Sequence, residues 1–131
     1  MILSAQFLQD VGGVNNYTIV TQASFTHGDS ANIYFQIIDS SVFKAVDGFN
    51  PSGRRIMPAS GAILSVTFGN LDNNKKVSRF CTQPFAQDTS IWLANVLATD
   101  PIEAGTVDFK ITLNEGGNIK TGYICAGIRC F

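Results

Sequence analysis

Along most of the chain, hydrophobic and polar residues alternate with a period of two. From Thr106 to Leu113, Val107, Phe109, Ile111 and Leu113 fall on one face and Thr106, Asp108, Lys110 and Thr112 on the other. That is a strand with one buried and one solvated face. From Ala62 to Phe68 the pattern repeats, with Ala62, Leu64, Val66 and Phe68 opposite Ile63, Ser65 and Thr67. At the C-terminus Ile124, Ala126, Ile128 and Cys130 alternate with Tyr123, Cys125, Gly127 and Arg129. From Ile33 to Ile38 both faces are apolar apart from Gln36, which predicts a central strand or one covered by a partner. Tyr17 to Ala23 and Val77 to Thr82 are rich in β-branched and aromatic residues and predict strands. Ile91 to Leu97 is continuously apolar, but Asp88 before it and Pro101 after it favour a strand over a helix.

Turn residues separate these runs. Glu115-Gly116-Gly117-Asn118 predicts a tight hairpin, since paired glycines supply the positive φ that such a turn requires. Asp72-Asn73-Asn74-Lys75-Lys76 predicts a second hairpin, between Phe68 and Val77. Ser40 to Gly48 offers a Ser cap, Val42 and Val46 on one face and a terminating glycine, enough for two helical turns at most. About seven to nine short strands with at most one short helix predict an all-β fold, an antiparallel β-sandwich of immunoglobulin-like or jelly-roll type. The 131 residues are the length of one domain, so residues 1–131 are read as a single sandwich.

Composition narrows the function classes. Hydrophobic residues make up 45% and charged residues 15%, against about 25% charged in ordinary domains. The net charge is −1, without the basic surplus of a nucleic-acid footprint. No apolar run approaches the ~20 residues of a membrane-spanning helix. Neither nucleic acid nor membrane is therefore expected as a partner. Residues 1–10 have no basic start and are interrupted by Gln6, Gln9 and Asp10, so they do not read as a signal peptide. The three cysteines, Cys81, Cys125 and Cys130, show no CxxC spacing, and Cys125 and Cys130 would point to opposite faces of one strand. They are read as reduced, packed thiols in a chain folded in a reducing cytosol.

The residues offer no assembled chemistry. His27, the sole histidine, sits in a turn with no nucleophile arranged beside it. The carboxylates are scattered among turns, where Asp caps backbone N–H groups. A calcium loop beginning at Asp72 fails at its sixth position, Val77, where glycine is required. No catalytic residue, metal site or cofactor is expected, and the chain is read as non-enzymatic. Phe supplies 10 aromatic residues against three Tyr and one Trp. This balance favours packing over a wet sugar-binding platform, and Trp92 is assigned to the core.

The stretch Asp29-Ser30-Ala31-Asn32-Ile33-Tyr34-Phe35-Gln36-Ile37-Ile38-Asp39 resembles a strand of small β-sandwich proteins in tailed-bacteriophage virions. Residues Arg54 to Ala62, Asp88 to Trp92, Gly105 to Val107 and Leu113 to Gly117 are similar in style. The likeness extends loosely over residues 29–117 and is nearest to the N-terminal attachment domains of baseplate proteins. The resemblance implies a structural subunit of a virion (tail, baseplate, collar adaptor or decoration), made in a bacterial cytoplasm. It further implies other virion proteins and copies of itself as partners, and no catalytic residues. The alternative is a non-catalytic carbohydrate-binding β-sandwich module. The segment from Phe43 through Phe49 to Met57 mixes apolar residues with Arg54 and Arg55, and the chain ends on Phe131. Phe43, Phe49, Arg54, Arg55, Met57 and Phe131 are therefore the candidate interface residues.

Overall fold

The computed structural model describes residues 2–10, 17–41, 54–70 and 74–131, with the side chains of Arg54, Cys125 and Ala126 outside that description. The described residues form ten strands and no helix. The first sheet contains β1 (Leu3–Asp10), β2 (Tyr17–Val20), β4 (Ala31–Asp39), β5 (Arg54–Arg55) and β8 (Trp92–Val96). Its order is β2-β1-β4, and β5 and β8 share the far edge of β4. The second contains β3 (Ala23–Phe25), β6 (Ile63–Asn70), β7 (Lys75–Phe80), β9 (Gly105–Glu115) and β10 (Asn118–Cys130), in the order β3-β10-β9-β6-β7. The run β10-β9-β6-β7 follows the G-F-C-C′ order of immunoglobulin-like sandwiches. All pairings are antiparallel except β3 with β10, which is parallel.

The period-two pattern builds the core directly. Val107, Phe109, Ile111 and Leu113 are fully buried, as are Leu64, Val66 and Phe68 from the neighbouring strand. They meet Leu3, Phe7, Ile33, Phe35, Ile37 and Trp92 from the first sheet. Phe109 is the joint: its ring stands edge-on to Phe7 and Phe35, each 5.2 Å away across the sandwich. The two sheets are also stitched at an edge, where Thr82 and Leu93 exchange two backbone hydrogen bonds.

Both expected hairpins form. Gly116 and Gly117 adopt φ of 60° and 91° between paired Glu115 and Asn118, the backbone of a type I′ turn. Asn70 pairs with Lys75 in the second, while Asp72 and Asn73 of its expected turn lie outside the described residues. The segment from Tyr17 to Ala23 is not one strand. β2 pairs with β1, the chain bends after Val20, and β3 joins the other sheet. Polar Thr21 and Gln22 make that crossing at the sandwich edge. Of the expected helix, Ser40 and Ser41 lie in a turn and the remainder falls outside the described residues.

Register fixes the two ends of the sandwich. Gly122 of β10 lies directly beneath the Leu3 backbone and Gly127 beneath the Phe7 ring. Leu3 pairs with Asp39, which pairs with Arg54. The β9–β10 hairpin, β5 and the start of β1 therefore share one end, and Cys130 and Phe131 lie at the other.

Candidate interaction surface

The candidate interface residues do not form one patch. Arg54 and Arg55 are held as a two-residue strand against Asp39 and Ile38, with the Arg55 side chain exposed. Met57 follows and is 60% exposed at the hairpin end, where the Ala59 N–H donates to a Glu115 carboxylate oxygen at 2.9 Å. Phe131 lies at the opposite end. Its N–H donates to the Phe25 carbonyl and its own carbonyl accepts the His27 N–H at 2.8 Å. The Phe131 ring is 62% exposed, with the Arg129 guanidinium 5.4 Å above its centre. Phe43 and Phe49 fall outside the described residues.

Among the described residues, a further group of exposed apolar side chains lies on the outer face of the second sheet. Alternation sends Ser65, Thr112 and their neighbours outward. Phe80, Ser65, Thr112 and Thr121 form one cross-strand row over β7, β6, β9 and β10, and Ile63, Asn114 and Ile119 form the next. Phe80 is 77%, Ile119 62% and Ile63 51% exposed. These seven residues carry no charge. Beyond them, toward the C-terminal end, the face becomes polar and internally bonded. Thr67 and Ser78 share a hydroxyl hydrogen bond at 2.7 Å, and the Tyr123 hydroxyl donates to Asp108 at 2.9 Å.

The signal for this patch is present in the sequence. Ile63 stands on the polar face of its own alternating run, and Phe80 and Ile119 fall at outward positions of theirs. Which of these faces meets water is set by strand pairing, so the run alone does not mark them.

The first sheet's outer face, by contrast, is covered by the protein itself. Gln6, Leu8, Gln36 and Ile38 are buried there, along with Ser90 and Ile91 from the segment preceding β8. The Gln6 amide donates to Gln36, the Gln36 amide donates to the Ser90 hydroxyl, each at 2.8 Å, and that hydroxyl donates to Asp88 at 2.6 Å. Beside this chain of bonds Tyr17, Tyr34 and Phe85 cluster with ring centres 5.2, 5.6 and 6.0 Å apart. Burial, helped by Tyr34 and by the Asp10 charge, pushes the Tyr17 hydroxyl above its ordinary pKa. The doubly apolar Ile33–Ile38 run is thus buried on its second face too, with Phe85 against Tyr34 and Ser90 bonded to Gln36.

Several polar groups that could suggest chemistry are engaged in holding the fold. The Arg79 guanidinium grips both Asp100 oxygens and donates to the Asn95 carbonyl. Burial pushes the Asp100 carboxyl up, but the Arg79 hydrogen bonds, the Leu97 N–H and the guanidinium charge together hold it below the usual carboxylate range. His27 Nδ1 donates to the Ile102 carbonyl at 2.7 Å, since a carbonyl only accepts. Burial pushes the Cys81 thiol up to about 12, which disfavours the thiolate. Cys81 and Cys130 are free thiols. Among the described residues no three of His, Cys, Asp or Glu come together to hold a metal ion. In comparisons with known proteins, no family model matches the chain, nor does any curated protein or solved structure.

Proposed function

We propose that this chain is a non-enzymatic structural component of a bacteriophage virion, a tail, baseplate, collar-adaptor or decoration subunit that works through protein–protein contacts. The observation that carries the contact reading is the uncharged half-face of the second sheet, where Phe80, Ile63 and Ile119 are exposed on a five-stranded sheet. Exposed apolar groups on such a scaffold lose little entropy when a partner covers them. Further apolar points, Met57 at one end and Phe131 at the other, suit a piece contacted on more than one side. The virion assignment rests on the resemblance of residues 29–117.

The alternative, a carbohydrate-binding module, draws on Tyr17, Tyr34 and Phe85. The Tyr17 ring tilts by 52° and 47° to the other two, and all three are half-buried against one another. That arrangement suits an inward-packed cluster better than the flat aromatic row on which sugar rings stack. Mass spectrometry of density-purified phage particles tests the proposal. The chain is expected at a fixed, stoichiometric copy number. Its absence from particles, with retention on a polysaccharide column, overturns the virion reading in favour of the module.

A further inference from the structure

We draw no further inference here: the strongest candidate, the exposed apolar side chains of Ile63, Ile119 and Phe80 on the outer face of the second sheet, carries nothing beyond the contact reading already given, because nothing in the structure shows what covers them.

Discussion

At Asp39 one carboxylate oxygen accepts the Ile2 N–H, the Ser41 N–H and the Ser41 hydroxyl, tying the start of β1 to the end of β4. The Ser41 hydroxyl, then the Ile2 N–H, hold the carboxyl down at about 2 against an ordinary 3.8, burial opposing them. The charged form is favoured in the folded state, so on acidification the unfolded chain takes up the proton first. Stability from this group is complete above the ordinary value and is lost as pH falls from about 4 through about 2. Asp100, also depressed, acts in the same direction. Denaturant melts between pH 2 and pH 7 are expected to show a falling acid limb, shallower in Asp39→Asn. An identical limb in that variant would remove Asp39 from the account.

Among the strands, β10 carries the closest constraint. Its long run lies against β9 along one edge and passes under β1 at Gly122. A side chain at Gly122 would collide with the Leu3 carbonyl and press on Ile111. Either β1 lifts from the sandwich or β10 bends away, and both loosen the contact between sheets. Gly122→Val is expected to lower unfolding stability by roughly 1–3 kcal/mol, as overpacking does. Thr121→Val, one position along on the outer face, is expected to stay within about 0.5 kcal/mol of the wild type. Urea midpoints with an unchanged slope would check both. β10 also departs from strict pairing: Ile124 partners Phe109 and Ile128 partners Val107, so the strand bulges between them. Pairing resumes in phase beyond the bulge, and Ile128 and Cys130 still reach the core.

At the scale of the whole molecule, the two sheets share one core, to which strands of both contribute. The sheets are joined by the β2-to-β3 crossing and by the Thr82–Leu93 bridge. Most of the buried apolar side chains of each sheet lie in that shared core, so loss of one sheet exposes the other. Unfolding is expected to be a single cooperative transition, as is usual for chains of this size. Trp92 is the sole tryptophan and is buried in that core. Its fluorescence red shift and the loss of far-ultraviolet β signal should coincide on heating or in denaturant. Two separated transitions would show that the sheets are not one cooperative unit.

The sequence by itself determined the layer that faces inward. The alternation through Val107, Phe109, Ile111 and Leu113, the glycine pair at 116–117 and the core placement of Trp92 are local signals, and local steric and burial rules read them. It also marked Met57 and Phe131 as apolar residues in need of explanation. Tertiary structure decided what pattern alone leaves degenerate. β1 alternates, with Leu3, Ala5 and Phe7 opposite Ser4 and Gln6, but Leu8 breaks its polar face, and only its place between β2 and β4 makes it a central strand. The split of β2 from β3 depends on which edge each meets, a non-local matter. The same holds for the candidate surface. An outward Ile or Phe in one strand is an ordinary residue. It becomes part of a patch only when pairing sets Ile63, Ile119 and Phe80 on neighbouring strands, while the outer face of the other sheet is buried, with Phe85 and Ser90 against it. Side-chain alternation is a property of the strand, but the company a side chain keeps is a property of the sheet.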